Sequence, residues 1–143
     1  MTDFHYALHD DGVAVITWDV ADRSMNIMTH QGFDDLGALV DRALADNAVR
    51  GVVLTSAKDS FAAGMDLGLI ARMRDDAGGD PARGLFEGIM HIHEILRRLE
   101  RAGMDPKTNA VGKPIAAALP GTALGIGFEI PLACHRIFAA DNP

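Results

Sequence analysis

The sequence has little of several residue types, and each scarcity excludes a class of protein. A single cysteine, Cys134, stands among 143 residues, which excludes an internal disulfide framework and leads us to expect a reducing, cytoplasmic location. Basic residues are outnumbered: 13 Lys and Arg face 20 Asp and Glu, and the formal net charge is −7. This balance argues against a nucleic-acid-binding protein.

Long apolar runs without breakers are also missing. The most apolar stretch, residues 114–134, is interrupted by three prolines and by Glu129, so we expect no membrane span. The acidic N-terminus lacks the apolar segment of a secretory signal. No metal site is expected either, because His91 and His93 point to different faces of a predicted helix and no Cys or carboxylate cluster completes a ligand set.

What the sequence does contain is an alternation of strand-like and helix-like segments. Short β-branched runs between turns predict strands, and apolar residues three and four apart predict helices. The predicted strands cover residues 4–8, 13–18, 51–55, 113–119 and 136–139, and the predicted helices cover residues 29–46, 66–73 and 83–101 and begin again near 125. The alternation predicts one α/β domain over residues 1–143.

Two segments carry finer expectations. Residues 51–55 are a continuous apolar run, which is typical of a strand buried on both faces. The helix predicted at residues 83–101 places its apolar residues on one stripe. The members of that stripe are Leu85, Ile89, Ile92, Leu96 and Leu99.

Two loop-to-helix junctions combine small residues with a helix start. Residues 61–66, FAAGMD, follow one predicted strand, and residues 121–129, GTALGIGFE, follow another. Small residues let a ligand approach the main chain, and a helix N-terminus offers unpaired N–H groups. Two such junctions that face one point would form an oxyanion hole from backbone alone.

Glu129 is the only charged residue between Lys113 and Arg136. A carboxylate in such apolar surroundings is expected to be buried and to have its pKa raised toward the range of a general acid or base. The alternative is a structural carboxylate that pairs with Arg136. Spacing alone leaves both open.

The ordered pair of motifs, Phe-x-Ala-Gly-x-Asp and Gly-x-Ala-Leu-Gly-x-Gly-x-Glu, resembles the enoyl-CoA hydratase/isomerase (crotonase) superfamily. The resemblance runs from the opening hairpin to the final ACHRIFAAD, and it is closest to the hydratase part of multifunctional fatty-acid oxidation proteins. It implies a crotonase-like α/β fold of repeated ββα units arranged as a spiral. Only the N-terminal part of that domain is expected here, so the fold is expected to be truncated.

The resemblance also implies residue roles. The N–H groups of Met65 and Ile126 would form the oxyanion hole, and Glu129 would be the first of two catalytic glutamates. The position of the second glutamate lies beyond Pro143, so the chain alone is expected to be inactive. The implied substrate-binding residues are Arg23, Met25, Asn26, Ala63, Gly64, Asp66, Leu67 and Gly125.

The implied function is hydration of 2-enoyl-CoA thioesters in fatty-acid β-oxidation, as part of a longer protein. Two alternatives stay open: Δ3-Δ2 enoyl-CoA isomerisation, and a non-catalytic CoA-binding or oligomer-forming fragment. The partner would be an acyl-CoA or enoyl-CoA thioester, whose coenzyme A belongs to the substrate, so no separate cofactor is expected. A homotrimer or a fatty-acid oxidation complex would be the assembly. One departure is Gly68, which stands where the family often has a basic residue for CoA phosphate; Arg72 and Lys58 are the candidate substitutes.

Overall fold

A computed structural model describes residues 2–75, 79–110 and 112–141. Strands and helices alternate along these residues: β1 (Phe4–Leu8), β2 (Val13–Trp18), α1 (His30–Ala45), β3 (Gly51–Ser56), α2 (Leu67–Asp75), α3 (Pro81–Arg101), β4 (Ile115–Leu119), α4 (Ile126–Leu132) and β5 (Arg136–Ala139). The strands form one sheet in the order β1-β2-β3-β4-β5. Only β1 and β2 pair antiparallel, and the other neighbours are parallel. The predicted α/β class is confirmed.

A short extended segment lies between strand and helix in each successive unit. Met28 lies between β2 and α1, residues 62–65 lie between β3 and α2, and Ala123 lies between β4 and α4. These segments pair in parallel, Met28 with Met65 and Ala62 with Ala123. The repeated ββα unit is therefore present. After β3 and β4, its second strand is reduced to isolated bridges at Ala62, Met65 and Ala123.

The core forms where α1 packs on the sheet beside Trp18. The Thr29 hydroxyl accepts a hydrogen bond from the N–H of Gly32 at 3.0 Å and caps α1, which satisfies one of the helix's free donors. Trp18 is 1% exposed. Its ring stacks on Phe4 at 5.3 Å and meets the edge of Phe61 at 5.8 Å. This aromatic cluster joins the first hairpin to the loop after β3.

The expectation that β3 is buried on both faces is wrong. Val52 and Leu54 are buried, whereas Gly51 and Val53 are half-buried. The same alternation appears in β2 and β4. One face of the sheet is therefore fully covered, and the other is covered only in part by the described residues.

The predicted stripe on α3 is only partly correct. Ile92 and Leu99 are buried as expected and Ile95 joins them, but Leu85 and Ile89 are exposed. The reason lies at Gly88, where an added Cβ would come within 2.6 Å of the Met73 side chain. The N-terminal half of α3 therefore packs on α2 through this glycine rather than through the stripe. Residues 76–78, between the helices predicted at 66–73 and 83–101, lie outside the described residues. Within the described residues, no helix combines the length and hydropathy needed to cross a membrane.

The corrected face of α3 gives a stability prediction. Ile95 is 1% exposed and Ile89 is 41% exposed on the same helix. Ile95→Ala should lower the free energy of unfolding by about 2–5 kcal/mol, because a buried side chain leaves a cavity. Ile89→Ala should change it by no more than about 0.5 kcal/mol. Denaturant unfolding of both variants checks this, and equal losses would contradict the burial assigned to α3.

Candidate active site

The first junction is held against the segment that follows β2. The N–H of Met28 donates to the Gly64 carbonyl at 2.9 Å, and the N–H of Asp66 donates to the Met28 carbonyl at 2.9 Å. No described peptide bond is cis, and the C=O and N–H of a planar trans peptide point in opposite directions. Because the Gly64 carbonyl faces Met28, the N–H of Met65 in the same peptide faces away from it.

The second junction uses the same peptide geometry at the start of α4. The Gly125 carbonyl accepts from the N–H groups of Phe128 at 2.8 Å and Glu129 at 3.1 Å. The N–H of Ile126, in the same peptide, therefore points out beyond the N-terminal end of the helix. Among the hydrogen bonds of the described residues, neither the Met65 nor the Ile126 N–H finds a protein acceptor.

The two junctions lie side by side because small residues let their backbones touch. The N–H of Leu124 donates to the Ala62 carbonyl at 3.0 Å. A Cβ added to Gly125 would lie 4.0 Å from the Cα of Gly64, and one added to Gly127 would lie 2.6 Å from the Cβ of Ala62. The two junctions are therefore adjacent in the structure; whether their N–H groups bind an oxyanion stays a prediction.

A cavity of about 490 Å³ opens beside the first junction. Its lining contains five of the residues that the sequence predicted: Arg23, Ala63, Met65, Asp66 and Leu67. It also contains three that sequence reasoning missed: Val20, Ile27 and Thr29. The pairing of the segment after β2 with residues 63–66 brings these three there, and no local pattern indicates that pairing. Met25 is half-buried and is not part of this lining.

Asp66 is the acidic residue in the lining of this cavity, and it interacts with the basic groups nearby. Its carboxylate accepts from the Gly68 N–H at 2.9 Å and from the Arg72 guanidinium at 3.1 Å. These bonds, with a further Coulombic contribution from Arg23, hold the pKa of the Asp66 carboxyl below its usual range. Asp66 is therefore a fixed anion at neutral pH. Within the described residues Arg23 makes no ion pair.

The family model of the enoyl-CoA hydratase/isomerases matches residues 9–143. The chain belongs to the enoyl-CoA hydratase/isomerase family. It is 35% identical over 140 residues to the fatty acid oxidation complex subunit alpha of Idiomarina loihiensis and 31% identical to that of Shewanella frigidimarina. Each alignment covers 97% of this chain and 18% of the relative.

Solved structures of the family share the fold. A putative enoyl-CoA hydratase/isomerase (crotonase) from Legionella pneumophila superposes with a TM-score of 0.79 at 22% identity, over 97% of this chain and 48% of that one. A probable enoyl-CoA hydratase from Mycobacterium thermoresistibile gives 0.73 at 25% identity, over 97% and 50%. The chain thus spans about half of a solved crotonase chain, and the truncated crotonase-like fold expected from its motifs is confirmed.

Two residues to which the resemblance assigns roles have surroundings that the sequence did not indicate. Asn26 is 0% exposed, and its side chain is engaged by protein atoms; its role in substrate binding stays a prediction. Glu129 is exposed rather than buried, because the short helix α4 turns Ile126 and Ile130 inward and Glu129 outward. No ion pair joins Glu129 to Arg136 in the described part of the chain.

The other chemically active side chains lie outside the two junctions. Burial raises the pKa of the Cys134 thiol to about 12, so it stays protonated and unreactive at neutral pH. His91 bonds Asp34 at 2.8 Å and stacks on His30 at 5.4 Å. Among the described residues, no group of three or more His, Cys, Asp or Glu side chains is arranged to hold a metal ion.

The orientation of the 64–65 peptide gives a prediction with a matched control. Gly64 has φ +115° and Gly79 has φ +108°, and an added Cβ meets nothing closer than 3.4 Å at either. Gly64→Ala and Gly79→Ala should each lower the free energy of unfolding by about 1–3 kcal/mol, because residues with a side chain disfavour positive φ. Only Gly64→Ala should also speed amide hydrogen exchange at Met28, whose acceptor is the Gly64 carbonyl. Unchanged exchange at Met28, measured by NMR, would contradict the proposed orientation.

Proposed function

We propose that this chain binds the thioester of a 2-enoyl-CoA and contributes to its hydration in fatty-acid β-oxidation. The observation that carries the proposal is the meeting of the two junctions, with the N–H groups of Met65 and Ile126 free of protein acceptors. Family membership and the relatives named as fatty acid oxidation complex subunits support the metabolic setting.

The two N–H groups suit the charge that develops during hydration. Water adds to C3 of a 2-enoyl thioester, and electron density moves through C2 to the carbonyl oxygen. Donors from Met65 and Ile126 stabilise that enolate-like oxygen, and each such donor contributes about 3 kcal/mol to the transition state. The donors belong to fixed peptides, so they need no reorganisation during the reaction.

Glu129 is the candidate acid or base of the reaction. It lies one turn into α4, the helix whose first N–H belongs to Ile126, so its carboxylate and the oxyanion donor share one rigid element. Its exposure in this structure leaves it in contact with water. It would hold the attacking water or exchange a proton with C2.

Coenzyme A would occupy the cavity beside Met65. Arg23 is exposed and free of ion pairs within the described residues, whereas Arg72 is bound to Asp66 at 3.1 Å and Lys58 to Asp19 at 2.7 Å. Arg23 therefore replaces Arg72 and Lys58 as the candidate ligand for a CoA phosphate. Leu67, 83% exposed on the same cavity wall, offers an apolar contact.

A non-catalytic CoA-binding module is the second candidate. The exposed position of Glu129 favours it, because no ion pair within the described residues holds its carboxylate toward the thioester. The oxyanion donors would then bind a thioester without turnover. Isomerisation of a 3-enoyl-CoA is the third candidate function. Product analysis with a 3-enoyl-CoA as the substrate distinguishes it from hydration.

Substitution of Glu129 tests the catalytic proposal. In the longer protein that is expected to contain this chain, Glu129→Gln should lower the rate of 2-enoyl-CoA hydration by about 10²- to 10⁴-fold, because it removes the group that moves the proton. Binding of the CoA thioester should be retained. Glu94→Gln, at an exposed glutamate on α3, is the matched control and should keep full activity. Thioester binding without hydration by the unsubstituted longer protein would support the second candidate instead.

A further inference from the structure

Asn26 joins three parts of the chain that meet behind the first junction. Its side-chain NH₂ lies 3.1 Å from the Trp18 carbonyl, 2.9 Å from the Ser56 hydroxyl and 3.0 Å from the Phe61 carbonyl. Its side-chain oxygen accepts from the Val20 N–H at 2.9 Å. Two carbonyl acceptors on one side and one N–H donor on the other fix which end of the amide is nitrogen.

The main chain of Asn26 extends this network into the junction itself. Its carbonyl accepts from the N–H of Ala63 at 2.8 Å, and two residues later Met28 bonds the backbone on both sides of Met65. Residues 26–28 therefore form the surface against which residues 61–66 are aligned. The 64–65 peptide keeps its orientation only while this segment stays in place.

We propose that Asn26 is the positioning residue of the oxyanion hole: its buried amide fixes residues 26–28, and these orient the N–H of Met65. The inference rests on the proposed function and adds a residue that never touches substrate. A buried amide with all its bonds made rigidifies its surroundings, whereas an acceptor placed opposite carbonyls repels them. Loss of the NH₂ group alone should therefore disturb the Met65 donor while the CoA cavity keeps its lining.

Asn26→Asp is the direct test, because it keeps the shape and the oxygen that serves Val20 but replaces the NH₂ donor. The probe is butyryl-CoA labelled with carbon-13 at the thioester carbonyl, which cannot be hydrated. Difference infrared spectroscopy of the 143-residue chain reports how strongly the bound carbonyl is polarised. The unsubstituted chain should shift the carbonyl band to lower frequency than in free butyryl-CoA, and Asn26→Asp should lose most of that shift while still binding the probe.

The control is Lys113→Met. Lys113 donates to the carbonyls of Ala43 at 2.9 Å and Asp46 at 2.5 Å, at the C-terminal end of α1. This variant also loses buried polar contacts, but away from both junctions, and it should keep the full shift. Equal losses in Lys113→Met and Asn26→Asp would overturn the inference, because the effect would then be general destabilisation.

The remaining outcomes separate the inference from the proposed function. A full shift in Asn26→Asp overturns the positioning role and leaves the proposed function standing. Absence of a shift in the unsubstituted chain overturns the proposed function and the inference with it. If Asn26→Asp does not fold, Asn26→Ala removes the whole amide without adding a buried charge: loss of most of the shift supports the inference, and a full shift contradicts it.

Discussion

The candidate site depends on the planarity of two peptide bonds. A trans peptide cannot turn its C=O toward one partner without turning its N–H the opposite way. Met28 takes the carbonyl of the 64–65 peptide, and the first turn of α4 takes that of the 125–126 peptide. Among the described residues both N–H groups are thereby left without a protein acceptor, and no charged side chain is needed to place them.

Residues without side chains make that arrangement compact. Gly64 turns the chain at a φ of +115°, and Gly125 and Gly127 let α4 approach residues 62–64 closely. Backbone donors placed in this way are rigid, because each belongs to a segment held by several hydrogen bonds. A carbonyl that gains negative charge would therefore meet donors already in position. Under the proposed function, the main chain would supply electrostatic stabilisation, and proton transfer would fall to a side chain such as Glu129.

The sequence predicted the local features and missed those set by distant contacts. The start of the helix predicted from residue 29 depends on nearby residues, so the local pattern was sufficient, and the two motifs were enough to point to both junctions. The predicted apolar stripe on α3 is only partly buried. Apolar periodicity indicates which face of a helix is apolar, but it does not indicate which half of that face other elements cover. The hydrogen bonds of the Asn26 side chain could not be predicted, because its partners Ser56 and Phe61 lie 30 and 35 positions away. The exposure of Glu129 could not be predicted from its apolar neighbours in sequence, because the short helix α4 buries Ile126 and Ile130 on one face and places Glu129 on the other.

A crystal structure of the chain with a bound acyl-CoA thioester would test the central claim most directly. The measurement is the pair of distances from the thioester carbonyl oxygen to the backbone nitrogens of Met65 and Ile126. Both should be about 2.7–3.1 Å, the range of effective oxyanion donors. A thioester whose carbonyl lies beyond hydrogen-bonding distance of either nitrogen would contradict the account.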